Sequence, residues 1–566
     1  MTAIENRPGT GLPRMRGIVL DAVATTRCRR RVHLDHDPTA VTAPRALPDP
    51  ALAQRRADAA EHRDRIGALL EAEVGAGWHR VAEGTSAERI ADTAAAVAAG
   101  APLIWGAVLP EDTTMGRLGG AELLVRLPEG GYLPVVVVRH RISDPGDGAL
   151  TSPLTRPWPG AAEVDPERKV RSQPRDLLRL AHLNRMLRAA GWGPPPAAGH
   201  RDVGGVIGLD ADVVVWLDLR VGHWPGGRST LTEYDLRFAD RTAVAEAAVA
   251  GRPALAEPSR VTECRRCPWW PTCEAELERA GDVSLVVRGE TAVALREVGV
   301  HTVAELAACD PLVEPPVPLP GLPFPDVVAL ARARLRGLAV VRRVATVAVP
   351  RADVEVDIDM ESFGESGAYL WGVRLQYRAG PLPGDQPEGY RAFATWEAVP
   401  DTDEARSFAA FWDWLARVRA DAAASGRSFA AYCYNEQAEN RWLLASARRF
   451  AGLPGIPTVE DVEEFIADPC WVDLFAVVDE SFLSAHGQGL KRVAPVAGFR
   501  WRDPEAGGEN SMRWYRDAVG MDGAPPDHAQ RQRLLEYNAD DVTATSVLRE
   551  WMTSVAVLEV PLAADL

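Results

Sequence analysis

Residues 354–361 read VEVDIDME, a run in which apolar and acidic residues alternate. Successive side chains of a β-strand point to opposite faces, so the run predicts a strand with Asp357, Asp359 and Glu361 on one face. Neighbouring carboxylates repel one another, and bound divalent cations offset that repulsion. Taken alone, the run fits either a metal-binding strand or a solvated edge strand whose acidic residues point outward.

Two motifs further along the chain favour the metal-binding strand. A strand-like apolar run at 430–434 is followed by Asn435 and, four residues later, by Glu439. Near the C-terminal end, Tyr537 and Asp541 lie in a predicted helix, and their spacing of four places them on one helical face. Three separate segments therefore offer carboxylates to a divalent metal ion.

The three motifs together resemble the DEDD exonuclease superfamily of RNase H-like nucleases. That family has an Asp-x-Glu pair on its first strand, an Asn four residues before an acid, and a Tyr four residues before an Asp on a late helix. In this sequence the pair is Asp359 and Glu361. Another alignment stays open, in which Asp357 joins Asp359 as the pair, or Asp540 replaces Asp541.

The resemblance implies hydrolysis of phosphodiester bonds with two Mg²⁺ or Mn²⁺ ions, starting at 3′ ends. By position, Asp359 would bridge the two ions, and Glu361 and Asp541 would hold one of them. Glu439, which stands where the family has Asp, would hold the other ion. Tyr537 would orient the attacking water.

The predicted contacts to the nucleic acid are Asn435 and Lys491. Lys491 is one of only two lysines in the chain, and we expect it to meet a phosphate; a solvated surface lysine is the alternative. Neither lysine precedes Ser or Thr, so the sequence lacks a phosphate-binding loop of the ATPase type. If a helicase motor is needed, it is expected to be a separate partner.

The composition predicts a soluble, cytoplasmic protein with several domains. The chain has 566 residues, 46% of them hydrophobic and 25% charged, and no apolar run long enough to cross a membrane. Seven cysteines are too few for a disulfide framework, and the first residues lack the order of a signal peptide. The net charge of −16 argues mildly against nucleic-acid binding, although arginine-rich patches suit phosphates.

Three of the cysteines, Cys264, Cys267 and Cys273, are grouped in the segment ECRRCPWWPTC. Soft thiolates bind zinc or iron, and such a centre needs about four of them. The best candidate for the fourth ligand is Cys28, far upstream. The spacing therefore predicts a four-cysteine metal centre, with a set of unrelated thiols as the alternative.

One cysteine before a nuclease core and such a group behind it resembles the iron–sulfur nucleases of the RecB type. The resemblance implies a structural [4Fe–4S] cluster, with zinc as the alternative, that fastens the N-terminal segment to the end of the core. Together with the C-terminal motifs, the chain resembles a bacterial family of RecB-like nucleases that carry a YprB-type ribonuclease H-like domain.

RecB-type cores bind Mg²⁺ through an acid on one strand and an acid-x-Lys on the next. Glu122 takes the first position, but the second strand offers Val137 and Arg139 instead of the acid and the lysine. Arginine does not readily lose its proton and is no simple substitute for lysine. The core is therefore predicted to have lost catalysis and to serve as a binding platform. A concealed site of Glu122, His79 and His140 is the alternative.

The predicted architecture is a multidomain α/β protein. Residues 1–280 are expected to form a restriction-endonuclease-like RecB core, 281–345 a small helical connector, and 350–566 an RNase H-like α/β domain. The pattern at 292–308 resembles a helix-hairpin-helix, which grips phosphates through backbone amides, or is a plain helical connection. The Pro-rich stretch 311–325 after it predicts a linker.

These features predict a metal-dependent nuclease, a 3′–5′ exonuclease acting on DNA or RNA in repair, recombination or other nucleic-acid processing. The alternative is a non-catalytic nucleic-acid-binding adaptor or helicase partner, with both nuclease halves degenerate. The carboxylate set of the C-terminal half favours the nuclease.

Overall fold

The computed structural model describes residues 17–566, apart from 49, 197–198, 211, 314–318, 320 and 522. The chain divides into two compact units, Met1–Glu276 and Leu277–Leu566. The N-terminal residues 1–16 and part of the Pro-rich stretch lie outside the described residues. Within the described part, no helix is both long enough and apolar enough to cross a membrane.

The first unit combines helices with a large mixed sheet. Its helices are α1 (Arg29–His36), α2 (Pro50–Val74), α3 (Ser86–Ala98), α4 (Pro174–Ala189), α5 (Thr230–Val249) and α6 (Trp270–Ala280), the last ending just past the unit boundary. Its strands are β1 (Trp78–Arg80), β2 (Leu103–Val108), β3 (Gly120–Arg126), β4 (Tyr132–Val137), β5 (Ser143–Pro145), β6 (Ala149–Pro153), β7 (Glu163–Asp165), β8 (Arg168–Val170), β9 (Val203–Ile207) and β10 (Val213–Asp218).

The large sheet of the first unit has the strand order β1-β2-β3-β4-β9-β10-β6-β7. Strands β3 and β4 are antiparallel, whereas β4 and β9 are parallel. Apolar side chains cover both faces: Leu178 of α4 belongs to the core on one face, and Ile66 of α2 to the core on the other. Burial on both faces explains why β4 reads YLPVVV, without a regular polar alternation.

The second unit opens with short helices and continues as an α/β arrangement. Its helices are α7 (Glu290–Glu297), α8 (Val303–Ala308), α9 (Phe324–Leu335), α10 (Asp403–Ala424), α11 (Glu436–Arg449), α12 (Val459–Ala467), α13 (Leu474–Ser481), α14 (Leu490–Val493), α15 (Gly508–Val519) and α16 (His528–Met552). Its strands are β11 (Val341–Arg342), β12 (Val354–Ser362), β13 (Ala368–Tyr377), β14 (Gly389–Ala394), β15 (Phe429–Cys433), β16 (Trp471–Asp473) and β17 (Phe482–Leu483).

Strand β12, predicted from the alternating run, is the middle strand of a five-stranded sheet with the order β14-β13-β12-β15-β16. It runs antiparallel to β13 and parallel to β15. Its apolar face, with Val356 and Ile358, packs against Phe408 and Phe411 of α10. Helix α16 covers the acidic face. The alternative of a solvated edge strand is therefore wrong, because both faces of β12 are covered.

The connection between α7 and α8 uses its backbone amides internally. The Glu305 carboxylate accepts hydrogen bonds of 2.8 Å from the amides of His301 and Thr302, and the amide of Val300 donates to the carbonyl of Leu295 at 2.9 Å. A phosphate that approached His301 and Thr302 would have to displace Glu305. This capping arrangement stabilises the start of α8 and accounts for the connection without a ligand.

Candidate active site

Three carboxylates of the second unit converge at one place. Asp359 and Glu361 come from the C-terminal half of β12, and Asp541 comes from α16. One oxygen from each lies within 4.8 Å of the others. Glu361 and Asp541 are buried, and Asp359 is partly buried. The alternation of β12 places the first two on one face, and α16 brings the third across it.

Each of these carboxylates has one oxygen held by a neutral donor from another part of the unit. The Asn538 amide donates to Oδ2 of Asp359 at 2.7 Å. The Ser511 hydroxyl donates to Oε2 of Glu361 at 2.8 Å. The third contact is a 2.6 Å hydrogen bond from the Trp501 indole to Oδ1 of Asp541. Neutral donors orient the carboxylates without cancelling their charge.

Burial raises the pKa of every carboxyl in the group, and neighbouring acids add to the effect at Asp359 and Glu361. Burial is the first cause at Asp359, whose pKa is raised further by Asp541 and Glu361. Burial and Asp541 raise the pKa of Glu361 to about 7. The pKa of Asp541 is raised mainly by burial, which Lys491 opposes. Carboxylates that are costly to ionise alone become favourable ligands when a cation joins them.

Glu439 lies on α11 beside this group, although it is not one of the three converging carboxylates. Its side chain is only 4% exposed, and Oε2 has no hydrogen-bond partner among the described residues. Burial, with Asp473 and Glu361 nearby, raises its pKa to about 8. A buried carboxylate oxygen without a partner is costly, and a bound cation would relieve that cost.

Asn435 turns the chain from β15 into α11. It has φ of 72°, in the left-handed region that Asn tolerates better than most residues, and its amide donates to Oδ1 of Asp473 at 2.9 Å. The Asn435 side chain is exposed, whereas Glu439, one turn into the helix, is buried. Asn435 therefore forms the backbone turn before α11, and its predicted contact to nucleic acid stays a prediction.

Lys491 and Tyr537, both named from the sequence, lie against the carboxylates. Nζ of Lys491 is 2.7 Å from the Tyr537 hydroxyl and 3.8 Å from Oδ2 of Asp541. Its ammonium also lies 4.5 Å from the centre of the Tyr537 ring. Tyr537 is buried, and burial beside Glu361 and Asp541 raises the pKa of its hydroxyl. Lys491 is thus no isolated surface lysine.

The two residues of the alternative alignment have other partners. Asp357 is completely buried and forms an ion pair with Arg549 of α16. Asp540 accepts hydrogen bonds from the backbone and the side chain of Arg502, at 2.9 Å and 2.8 Å. Asp357 and Asp540 are therefore each paired with an arginine, whereas Asp541 accepts from the neutral Trp501 indole and has Lys491 at 3.8 Å.

Sequence reasoning did not find the residues that hold these carboxylates. Trp501 and Ser511 lie in segments without a recognisable motif, 40 and 150 positions from the acids they contact. Asn538 directly follows Tyr537, and its place inside the last motif was the one available signal. The packing of α15 and α16 near β12 brings Ser511 and Asn538 to the acids, and Trp501 reaches Asp541 from the segment between α14 and α15.

In the first unit, the residues named as remnants of a nuclease site do not form one group. Glu122 is bound by the Arg179 guanidinium at 2.7 Å and 3.0 Å, so an arginine neutralises its charge. His79 contacts Asp92 at 3.0 Å. His140 and Arg139 likewise have carboxylates of their own, Asp176 at 2.8 Å and Asp58 at 3.1 Å respectively.

The four cysteines proposed as ligands line one cavity of the first unit. The cavity is bounded by Cys28, Cys264, Cys267 and Cys273, together with the side chains of Arg30, Arg31 and Glu263. Burial raises the pKa of the Cys267 thiol to about 11 and that of Cys273 to about 12. These thiols therefore remain protonated at neutral pH unless a cation displaces the protons.

Direct contacts also join the segment around Cys28 to the segment of the other three cysteines. The amide of Cys28 donates to Glu263 at 2.6 Å, and the Arg31 side chain donates to the same carboxylate at 2.7 Å. The Trp269 indole donates to Asp35 at 2.8 Å. Two distant parts of the chain are thus held together around the cavity by ion pairs and hydrogen bonds.

Comparison with known protein families gives one match in the C-terminal half. Residues 458–553 match the RNase_H_2 family of the RNase H superfamily. The match supports an RNase H-like domain there, and with it a nuclease-type activity that uses divalent metal ions on nucleic acid. It includes Lys491, Tyr537 and Asp541, whereas Asp359 and Glu361 lie before it. No curated protein and no solved structure matches the chain.

Proposed function

We propose that the chain is a metal-dependent 3′–5′ exonuclease whose hydrolytic site is formed by Asp359, Glu361, Glu439 and Asp541. The observation that carries the proposal is the convergence of three carboxylates within 4.8 Å, each with one oxygen held by a neutral donor. A purely structural acidic group of this kind would be expected to contain arginine partners, as Asp357 and Asp540 do.

The donors present fit hard divalent cations. Mg²⁺ and Mn²⁺ prefer carboxylate oxygens, and this group is composed of carboxylates with no thiol or imidazole among the converging ligands. Oε2 of the buried Glu439, which has no hydrogen-bond partner among the described residues, is a further oxygen ligand beside them. Asp359, Glu361 and Asp541 would hold one metal ion, and Glu439 would contribute to a second.

The chain's own residues would then divide the work of phosphodiester hydrolysis. Bound divalent ions supply stabilisation of the charge that develops on the attacking and leaving oxygens. Tyr537 would orient the attacking water through its hydroxyl, and Lys491, bonded to that hydroxyl at 2.7 Å, would fix its position. Lys491 would also add positive charge where the substrate phosphate enters.

The decisive experiment is digestion of 5′-end-labelled single-stranded DNA and RNA by the purified full chain with Mg²⁺. A 3′–5′ exonuclease gives a ladder of progressively shorter labelled products, whereas attack from the 5′ end releases labelled mononucleotide at once. Asp359→Asn should abolish the ladder and Glu122→Gln should preserve it. Nucleic-acid binding without hydrolysis in the wild type would instead favour the adaptor.

For the first unit we propose a RecB-like core without catalysis, stabilised by a [4Fe–4S] cluster on Cys28, Cys264, Cys267 and Cys273. Two observations support it: the four cysteines line one cavity, and Arg179 occupies Glu122. Arg30 and Arg31 also line the cavity, where they are paired with Glu276 and Glu263 respectively. Iron and sulfide analysis after anaerobic purification tests the cluster, and zinc without iron would contradict it.

A further inference from the structure

We propose that Asn538 is a positioning residue for Asp359, and that Tyr390 holds the other end of the Asn538 amide in place. The inference rests on the proposed function, because it gives a task to residues around the same carboxylates. Neither Asn538 nor Tyr390 is itself expected to touch the metal or the substrate.

The contacts form a short relay across three elements. From β14, the Tyr390 hydroxyl donates to Oδ1 of Asn538 at 2.8 Å. From α16, Nδ2 of Asn538 donates to Oδ2 of Asp359 on β12 at 2.7 Å, and it lies 3.4 Å from the Asp359 carbonyl oxygen. Asn538 is completely buried, so water does not compete for these bonds.

The direction of the amide follows from the donors and acceptors available. When a bound cation keeps Asp359 ionised, its carboxylate only accepts hydrogen bonds and therefore requires the NH₂ end of Asn538. The Tyr390 hydroxyl carries a proton and donates it to the remaining carbonyl end. A flipped amide would place Oδ1 of Asn538 against the Asp359 carboxylate, which is repulsive. Because a hydroxyl can donate or accept, it is Asp359 that selects the orientation of the amide, and Tyr390 stabilises that orientation by donating to Oδ1 of Asn538.

A glycine provides the space for this relay. Gly372 on β13 lies directly opposite Asp359 in the antiparallel pair. A Cβ atom at Gly372 would lie 1.5 Å from Oδ1 of Asn538 and 2.6 Å from its Cγ. Because the clash involves a buried amide held at both ends, any larger residue at 372 would force Asn538 away from Asp359.

The consequence for the site is restricted rotation of a carboxylate. Asp359 is surrounded by other acids, and repulsion from Asp541 and Glu361 acts on it. A hydrogen bond to one oxygen fixes the plane of the carboxylate against that repulsion. Outer donors of this kind typically contribute about 10–100-fold to metal affinity or activity.

The test measures Mn²⁺ binding by calorimetry, together with hydrolysis of labelled single-stranded DNA, on four full-length variants. Asn538→Leu removes the donor at similar volume, Tyr390→Phe removes one hydroxyl, and Gly372→Ala displaces the amide without deleting it. Ser546→Ala is the matched control, because Ser546 is a buried polar residue of the same helix that contacts Gln376 instead.

We expect Asn538→Leu and Gly372→Ala to weaken Mn²⁺ binding and to lower kcat by about 10–100-fold. Tyr390→Phe should shift both quantities in the same direction by a smaller factor, while KM for DNA stays within about twofold in all variants. A variant that is only less stable would have a smaller folded fraction. That fraction would keep the wild-type Kd for Mn²⁺ and the wild-type KM for DNA. The Ser546→Ala control should match the wild type.

The outcomes separate this inference from the proposed function. If Asn538→Leu and Tyr390→Phe bind Mn²⁺ and hydrolyse DNA as the wild type does, while Asp359→Asn is inactive, the positioning role is wrong and the nuclease stands. The proposed function itself fails if the wild type does not hydrolyse nucleic acid and Asp359→Asn binds Mn²⁺ as tightly as the wild type. If Asn538→Leu does not fold, unchanged Mn²⁺ affinity in Tyr390→Phe overturns the relay.

Discussion

Nζ of Lys491 lies 2.7 Å from the hydroxyl of Tyr537, one helical turn before Asp541 on α16. This hydrogen bond joins a short helix without a recognised motif to a residue of the Tyr-x3-Asp pair. Two roles are therefore open to Lys491: a contact to the substrate phosphate, and a hydrogen bond that positions the Tyr537 hydroxyl. The two can be separated by kinetics.

Lys491→Met should lower kcat by about 10–100-fold, because the Tyr537 hydroxyl loses the donor that holds it. In a double-mutant cycle with Tyr537→Phe, the second substitution should add little, since both remove the same contact. The measurement is single-turnover hydrolysis of labelled single-stranded DNA. Lys169→Met, at the other lysine of the chain, is the control. Additive effects would show that Lys491 acts on the phosphate alone.

Asp541→Asn and Asp540→Asn form a matched pair of neighbouring substitutions. Asp541→Asn should lower hydrolysis by more than about 100-fold, beyond the usual cost of an outer contact, because it removes a proposed metal ligand. Asp540→Asn should keep activity within about threefold, since Asp540 is paired with Arg502. The measurement is the rate at which each variant releases the nucleotide at the 3′ end of the substrate. The reverse pattern would select the alternative alignment.

Asp357→Asn should act on stability rather than on hydrolysis. Asp357 and Arg549 form a fully buried ion pair, and removing one partner leaves a buried charge, at a cost of about 3 kcal/mol. Arg549 retains Glu355 at 3.1 Å, which limits the loss. Urea unfolding measures the change. Asp413→Asn, in the exposed pair with Arg417, should cost at most about 0.5 kcal/mol.

The metal-free protein should lose stability as the pH rises. The pKa of Glu439 is raised from 4.5 to about 8, so the folded state binds more protons than the unfolded state between these values. The free energy of unfolding then falls with rising pH, by at most about 1.4 kcal/mol per pH unit for one such group. Thermal unfolding across this range should show a shallower slope in Glu439→Gln. Mg²⁺ should restore the stability of the wild type at alkaline pH. Equal slopes of stability against pH in the wild type and in Glu439→Gln would contradict the raised pKa of Glu439.

Cys28→Ser should remove the iron proposed for the first unit, because a cluster needs all four thiolates. The protein should lose its visible absorption and unfold at lower temperature, although Glu263 still joins the two segments. Cys309→Ser, at a cysteine of the second unit, should leave the iron content unchanged. Iron retained at the wild-type level in Cys28→Ser would show that Cys28 is not a ligand.

The sequence alone predicted β12 and the helix of Tyr537 and Asp541 in the second unit, and it named the acids that we propose as ligands. Alternation in residues 354–361 predicted β12, and the helical spacing of Tyr537 and Asp541 placed both on one face. Such patterns are local, because a strand repeats every two residues and a helix every 3.6. The RNase H-like assignment of this half rests on those motifs and is supported by the match at 458–553.

Only the tertiary structure decided how each carboxylate is used. Asp357 and Asp359 are both acids of β12 on the same face, yet Arg549 neutralises the first and the Asn538 amide orients the second. Nothing within the strand distinguishes the two acids, since Asn538 and Arg549 lie on helix α16, about 180 or more positions away. A local pattern fixes which way a side chain points, whereas its charge environment depends on what the fold packs against it.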